Sequence, residues 1–168
     1  YGMGAFSLAK SLGISNDAAK DFIRAYFDRY PRVKAYLDGT VEKARKDGFV
    51  ATYFKRRRYI PEISTRDNRM KSFAERTAIN APIQGTASDV IKIAMRQVWS
   101  KLEEKGLRTR MLLQVHDELL FEAPRRELDD LVALVRREME GAVSFRVPMS
   151  VSVKAGPNWL DMKDWDES

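Results

Sequence analysis

Apolar residues recur at three- and four-residue steps over residues 15–30, which predicts an amphipathic helix. Pro31 lacks the N–H that would continue this helix, so a second helix is predicted over residues 32–46, with Gly48 as its stop. The first helix carries a stripe of aromatic side chains, which we expect to lie in the core. The members of this stripe are Phe22, Tyr26, Phe27 and Tyr30.

The middle of the chain combines an extended stretch with a long helical pattern. Residues 49–61 look extended but are interrupted by four consecutive cations at 55–58. A helical pattern follows over residues 72–105, in which Pro82 must kink the helix or start a new one. If this stretch is helical, three polar residues spaced by four lie on one face. They are Arg76, Asn80 and Gln84.

Two apolar runs flank His116 and Asp117 within residues 109–123, which predicts a β-hairpin with a tight connection. Both runs are apolar at most positions, so we expect the hairpin to be covered on both faces. A helix is predicted over residues 126–141, and alternating apolar residues over 147–153 predict an edge strand. The order of helices, hairpin, helix and strand indicates an α+β fold, with an antiparallel sheet backed by helices.

Composition limits the class of protein. The chain has 168 residues, of which 44% are hydrophobic, enough for a compact core and too many for a disordered tail. No apolar run approaches the ~18 residues of a membrane span, which excludes a transmembrane protein. Cysteine is absent and histidine occurs once, which excludes disulfides, cysteine-ligated zinc and multi-histidine metal sites. Metal chemistry would therefore use oxygen ligands, which suit Mg²⁺.

Positive charge is concentrated in one stretch. The net charge is +6, whereas residues 43–76 alone hold eleven basic and four acidic residues, which is +7. Concentrated positive charge favours a polyanionic partner such as nucleic acid. A solvated basic loop region is the alternative that charge alone leaves open.

Asp117 and Glu118 adjoin at the bend of the predicted hairpin, beside His116. Carboxylates among apolar strands are costly unless they are exposed or neutralised by a cation. Side chains alternate along a strand, so we expect at most one to bind a metal ion directly, and we choose Asp117. An ordinary polar turn is the alternative. A hard divalent ion usually needs carboxylates from more than one segment, so part of such a site is expected to lie outside this chain.

Several blocks together resemble family A DNA polymerases, the bacterial DNA polymerase I group. Residues 114–118 (Gln-Val-His-Asp-Glu) look like the family's C-terminal palm motif, and residues 73–92 are similar to its long palm helix. Residues 56–62 (Arg-Arg-Arg-Tyr-Ile-Pro-Glu) resemble the family's Arg-Arg-Arg-Tyr-Leu-Pro-Asp stretch. Residues 1–3 look like the end of the fingers helix, and residues 156–159 look like the family's C-terminus.

The resemblance implies a polymerase that adds deoxynucleotides from their triphosphates to the 3′ end of a primer in DNA replication and repair. Residues 1–71 would be the distal fingers and residues 72–168 the C-terminal part of the palm. Asp117 would be one of two aspartates that hold Mg²⁺ for two-metal nucleotidyl transfer, and Glu118 would be a helper. The bacterial relationship implies a cytoplasmic, nucleoid-associated enzyme.

The resemblance also implies contacts with primer–template DNA. Donors on the predicted palm helix would contact the minor groove, whose acceptors occur on every base pair; these are Arg76, Asn80 and Gln84. On the hairpin, Gln114 would contact the primer side, and His116 would contact the primer terminus or orient the turn. Tyr1 would pack by the incoming nucleotide or the template base. Three arginines suit phosphate contacts, and strand alternation leaves open which of them face DNA; these are Arg56, Arg57 and Arg58.

The family's second catalytic aspartate and its triphosphate-binding basic residues belong to upstream motifs that this sequence lacks. We therefore expect the chain alone to be inactive and its partner to be the upstream remainder of the same polymerase. Two alternatives stay open: a portion of a single-subunit RNA polymerase, and a non-catalytic DNA-binding module. Residues 80–85 (Asn-Ala-Pro-Ile-Gln-Gly) favour the DNA enzyme over the RNA enzyme.

Overall fold

The computed structural model describes residues 2–165, and over this range the chain has an α+β fold. Five α-helices lie in the described range: α1 (Ala5–Leu12), α2 (Asn16–Arg29), α3 (Pro31–Asp47), α4 (Asn68–Glu104) and α5 (Leu128–Glu140). Six short strands form three antiparallel pairs: β1 (Phe49–Ala51) with β2 (Arg57–Tyr59), β3 (Arg110–Val115) with β4 (Glu118–Glu122), and β5 (Lys154–Ala155) with β6 (Lys163–Asp164). Single 3₁₀ turns occupy Pro61–Ser64 and Arg125–Glu127.

The chain divides into two compact units, one ending at Thr86 and the other beginning at Ala87. Helix α4 runs from the first unit into the second. The predicted boundary between fingers and palm, at residues 71 and 72, concerns the subdomains of a polymerase and stays a prediction.

The core of the first unit combines alanines with larger aliphatic side chains. Ser15 accepts a hydrogen bond from the N–H of Ala18 and so caps α2, while Pro31 occupies the first turn of α3, where its missing N–H costs nothing. Residues from α3, the β1–β2 hairpin, the 3₁₀ turn after it and α4 form one cluster: Ala44, Val50, Ile60, Ile63, Ala74 and Ala78. The alanines allow the two helices to approach the hairpin closely.

The aromatic stripe of α2 does not lie in the core, contrary to the prediction. Phe22 is 60% exposed and Tyr30 is 50% exposed, and Ala19 is the fully buried residue of this helix. The rings contact one another instead: the ring centroids of Tyr26 and Phe27 are 5.4 Å apart. Helical periodicity identifies an apolar face, but whether that face is buried depends on the elements available to cover it.

Helix α4 continues through Pro82, so the proline does not start a new helix. Pro82 is buried, and the hydroxyl of Thr86 donates to its carbonyl oxygen. Helix α4 also begins at Asn68, four residues earlier than the pattern predicted. Among the helices of residues 2–165, none combines the length and apolarity that crossing a bilayer requires.

The second unit packs the β3–β4 hairpin against the end of α4 and against α5. Its core contains Val98 and Leu102 from α4, and Leu131, Leu134 and Val135 from α5. Met111 of β3 and Phe121 of β4 pack onto this cluster. The predicted hairpin and the predicted helix are confirmed. However, Leu112 and Leu113 are exposed, so the hairpin is not covered on both faces within the described chain.

The strand predicted over residues 147–153 is absent from the described structure, in which Val147 is 74% exposed. The N–H of Val151 donates to the carboxylate of Glu140 at 2.9 Å, a bond that a neighbouring strand would otherwise supply. The paired strand begins at β5, and of residues 147–153 only Val153 bonds next to it, where its carbonyl accepts from the N–H of Trp165 at 2.8 Å. Alternation of apolar residues indicates that a segment can form a strand, but it does not supply a partner for it.

The turn of the β1–β2 hairpin lies close to α4 at Gly85. A Cβ at this position would lie 2.6 Å from the Cγ2 of Thr52. Thr52 is buried, and its hydroxyl oxygen accepts from the N–H of Arg56 at 3.2 Å, so the methyl group cannot rotate away without cost.

We expect Gly85→Ala to lower the free energy of unfolding by about 1–3 kcal/mol, because the added methyl group overpacks this contact. Gly39→Ala is the matched control. Gly39 also lies in a helix, but no atom lies within 4 Å of its Cβ position, so alanine there should stabilise by about 0.5–1 kcal/mol. Urea unfolding of both variants measures the difference. Equal effects of the two substitutions would contradict the packing explanation.

Candidate functional site

The two-residue bend between β3 and β4 holds His116 and Asp117. His116 has a φ of 52°, a left-handed conformation that closes the bend tightly. Val115 pairs with Glu118 across the bend, which makes Glu118 the first residue of β4. His116, Asp117 and Glu118 are all exposed. The structure therefore places the two predicted carboxylates side by side at the exposed end of a paired hairpin.

Gln114 braces this bend from within. Its side-chain amide donates a hydrogen bond of 2.6 Å to the backbone carbonyl of His116. The bond joins the side chain of the next-to-last residue of β3 to the first residue of the bend, so it restricts the backbone immediately before Asp117. One N–H of the Gln114 amide is thus used by the bend, the second N–H and the amide oxygen have no partner among residues 2–165, and the predicted DNA contact of this side chain stays a prediction.

The other end of the hairpin is held by a buried polar pair. Glu127 is 8% exposed, and its carboxylate accepts from the N–H of Thr109 at 3.0 Å and from the Thr109 hydroxyl at 2.9 Å. Burial raises the pKa of Glu127, but these bonds and one from the backbone N–H of Arg108 lower it by more, so the pKa lies below 4.5. No sequence pattern predicts this pair, because a Glu eighteen residues after a Thr carries no local signal.

The chemistry of the donors at the bend fits a hard divalent ion, but their number does not complete a site. Asp117 has no ion-pair or hydrogen-bond partner among residues 2–165, so its carboxylate oxygens remain available to a cation. No group of three or more acidic or histidine side chains in the described chain lies close enough together to hold a metal ion. Asp117 can therefore supply one ligand, and the remaining oxygens of a full shell would come from elsewhere.

The first unit contains the predicted donors of α4. Arg76, Asn80 and Gln84 follow one another at four-residue steps along a continuous helix, so the spacing argument is confirmed. Arg76 and Gln84 are exposed and Asn80 is half-buried. The stem of Arg76 packs against Gly2, whose Cβ position lies 3.1 Å from the Arg76 Cγ. Tyr1, the predicted nucleotide contact, lies outside the described residues.

The three consecutive arginines differ in their surroundings. Arg56 donates to the carbonyl of Gly85 at 3.0 Å, which links it to α4. The guanidinium of Arg57 lies 4.6 Å from the ring centre of Phe49, a cation–π contact. Arg58 is exposed and has no hydrogen-bond or ion-pair partner in the part of the chain that the structure describes. Strand alternation sends Arg57 and Arg58 to opposite faces.

The predicted site residues are thus divided between the two compact units. The first unit holds the arginines of the β1–β2 hairpin and the donors of α4, and the second unit holds Gln114, His116, Asp117 and Glu118. In the first unit the predicted residues lie on helix α4 and on the β1–β2 hairpin, and in the second unit they lie on the β3–β4 hairpin.

Comparison with known proteins identifies the family. Residues 1–161 match the model of DNA polymerase family A. The chain is 50% identical over 163 residues to DNA polymerase I of Caldicellulosiruptor bescii and 48% identical over 163 residues to that of Bacillus subtilis. These alignments cover 97% of this chain but only 19% and 18% of the relatives, so the chain spans about a fifth of their length.

A solved structure is also similar. It is the POL domain of Pol1 from M. smegmatis in complex with DNA primer-template and dNTP. The TM-score is 0.85 at 48% sequence identity, with 88% of this chain and 26% of the other chain covered. This similarity agrees with the α+β fold of part of a polymerase.

The lowered pKa of Glu127 predicts a pH-dependent stability. The stabilisation is fully present above pH 4.5, the ordinary pKa of the unfolded chain, and is lost as the pH falls through the lower pKa of the folded state. We expect Glu127→Gln to lower the melting temperature at neutral pH, and we expect its difference from the wild type to shrink below pH 4.5. Thermal melts across this range measure the effect. Glu103→Gln, on an exposed helical position, is the control, and a pH-independent loss in Glu127→Gln would contradict the assignment.

Proposed function

The chain belongs to DNA polymerase family A, and we propose that it supplies part of the active site of an enzyme that extends a DNA primer with deoxynucleotides. The observation that carries this proposal is the exposed carboxylate of Asp117 at the bend of the β3–β4 hairpin, within a chain 50% identical to a DNA polymerase I. The proposal concerns the whole polymerase, of which this chain corresponds to about a fifth.

Asp117 is proposed to be a ligand of Mg²⁺. The bound ion would activate the primer 3′-hydroxyl and neutralise charge on the phosphates during nucleotidyl transfer. The contribution of the chain is to hold the carboxylate in place. The paired strands, the Gln114 bond to the bend and the Thr109–Glu127 pair at the far end all restrict its motion. Glu118 begins β4 beside it and is proposed to assist without being an essential ligand.

His116 is proposed to lie by the primer terminus, because it shares the bend with Asp117 and is exposed. Gln114 is proposed to serve the same region in two ways. One N–H of its amide supports the bend, and the second N–H and the amide oxygen are left to bond to the primer side.

Arg76, Asn80 and Gln84 are proposed to contact the minor groove of primer–template DNA. Guanidinium and amide groups donate hydrogen bonds, and every base pair presents acceptors in the minor groove, so contacts there sense the shape of the pair and not its sequence. Their four-residue spacing places all three along one side of a single helix. Tyr1 is proposed to pack beside the incoming nucleotide or the template base, as the family resemblance implies.

Phosphate contacts are proposed for the three arginines of the basic run, with Arg58 as the principal one. Arg58 has no partner of its own within residues 2–165, whereas Arg57 stacks on Phe49 and Arg56 binds the carbonyl of Gly85. Arg56 and Arg57 can add phosphate contacts only through the donors that these interactions leave available.

The upstream remainder of the polymerase is the proposed partner of this chain, and residues 1–71 and 72–168 are the proposed fingers and palm portions. Membership of the DNA polymerase family disfavours the RNA polymerase alternative. A non-catalytic DNA-binding module is the second candidate, because the described residues do not complete a metal site. A role in bacterial replication and repair would place the enzyme in the cytoplasm.

The test is a chimera in which this chain replaces the matching residues of the Caldicellulosiruptor bescii polymerase. We expect Mg²⁺-dependent primer extension, and a loss of at least about 10³-fold in rate for Asp117→Asn, because a metal ligand contributes several kcal/mol to the transition state. The chain alone should show no extension. Single-turnover incorporation of one deoxynucleotide measures the rate.

The matched control is Asp129→Asn, an exposed aspartate in the first turn of α5, which should leave the rate unchanged. Glu118→Gln should lose less than Asp117→Asn. Full activity of Asp117→Asn would refute the assignment of this ligand. A chimera that binds primer–template but shows no Mg²⁺-dependent extension would favour the non-catalytic module.

A further inference from the structure

Lys55 adopts a backbone conformation that disfavours lysine. Its φ is 69°, in the left-handed region, and within residues 2–165 only His116 shares a positive φ among the residues other than glycine. In this region the Cβ of an L-residue crowds the following carbonyl oxygen, so glycine or asparagine would be favoured. The lysine side chain is exposed, so packing does not explain its presence.

The turn that carries Lys55 is held rigidly. The N–H of Lys55 donates to the carbonyl of Thr52 at 2.9 Å, and the N–H of Thr52 donates to the carbonyl of Arg56 at 2.9 Å. The N–H of Tyr53 donates to the hydroxyl of Thr86 at 2.9 Å, which attaches the turn to α4. A side chain at position 55 therefore extends from a fixed base beside the helix segment that contains Gln84.

The ammonium of Lys55 has no hydrogen-bond or ion-pair partner in the described part of the chain. Its neighbours Arg56 and Arg57 are engaged with Gly85 and Phe49, whereas Arg58 is not. The two cations of residues 55–58 that have no partner in the described chain are therefore the first, Lys55 on the turn, and the last, Arg58 on strand β2.

We propose that Lys55 is a phosphate-binding residue that the turn presents to the backbone of the bound nucleic acid. The inference rests on the proposed function, because it takes duplex DNA as the ligand. The left-handed backbone of a lysine with no internal partner is explained if the side chain contributes to binding at the expense of stability. An ammonium on a flexible stem binds a phosphate as a point charge and reads no sequence.

The experiment compares Lys55→Asn, Lys55→Arg and Lys10→Gln in the full chain, with a fluorescein-labelled primer–template duplex as the probe. Asparagine removes the charge and tolerates the left-handed conformation, whereas arginine retains the charge. Lys10 lies on exposed α1 and controls for the loss of one positive charge elsewhere. Anisotropy titrations from ~50 to ~200 mM KCl give the slope of log Kobs against log salt, and thermal melts give the melting temperature.

For Lys55→Asn we expect weaker binding, a salt slope shallower by ~0.9, and a melting temperature higher by ~2–4 °C. Lys55→Arg should keep the wild-type slope, and Lys10→Gln should change it little. A variant that is more stable yet binds less well cannot owe its weaker binding to misfolding.

An unchanged slope in Lys55→Asn, with normal binding by the wild type, would overturn the role of Lys55 and leave the proposed function intact. A lower melting temperature of Lys55→Asn would overturn the inference that the left-handed backbone at Lys55 costs stability. Absence of binding by the wild-type chain, and by the chimera described above, would overturn both this proposal and the proposed DNA contacts.

Discussion

The candidate catalytic carboxylate depends on the packing of one side of the β3–β4 hairpin. Met111 and Phe121 pack onto the cluster of Val98, Leu102, Leu131, Leu134 and Val135, which holds the two strands against helices. An isolated two-stranded hairpin is only marginally stable in water, so this packing is what gives the bend a defined position. The Thr109–Glu127 pair anchors one end of β3 and the Gln114 bond braces the other. Asp117, like its neighbours His116 and Glu118, is then an exposed residue on a constrained backbone.

In the first unit, packing in the same way determines which positive charges remain exposed. The β1–β2 hairpin is fastened to α4 through Gly85 and Thr86, and the contact is close because residue 85 has no side chain. Arg56 takes part in this attachment through its hydrogen bond to Gly85, whereas other cations of the basic run are exposed to solvent. The members of a run of like charges can therefore differ in function, because the fold determines which of them are already hydrogen-bonded or stacked.

The exposed apolar residues show where local patterns were insufficient. Phe22 and Tyr30 lie on the apolar face that periodicity identified, and the helix formed as predicted, but the face remains exposed in the described chain. Residues 147–153 alternate as a strand should, yet Val151 satisfies its N–H with Glu140. In both cases the local preference was read correctly and the burial or pairing was not, because these depend on a second element.

Local periodicity and contiguous motifs were enough to predict helices α2 to α5, the β3–β4 hairpin, the shared face of Arg76, Asn80 and Gln84, and the family, but they did not predict α1. Three features became visible only in the folded chain: the bond from Gln114 to the bend, the burial of Glu127 against Thr109, and the left-handed backbone of Lys55, whose ammonium has no partner among residues 2–165. These features join residues through space or through backbone torsion angles. Residue identity constrains such features weakly, and packing selects among the conformations that remain.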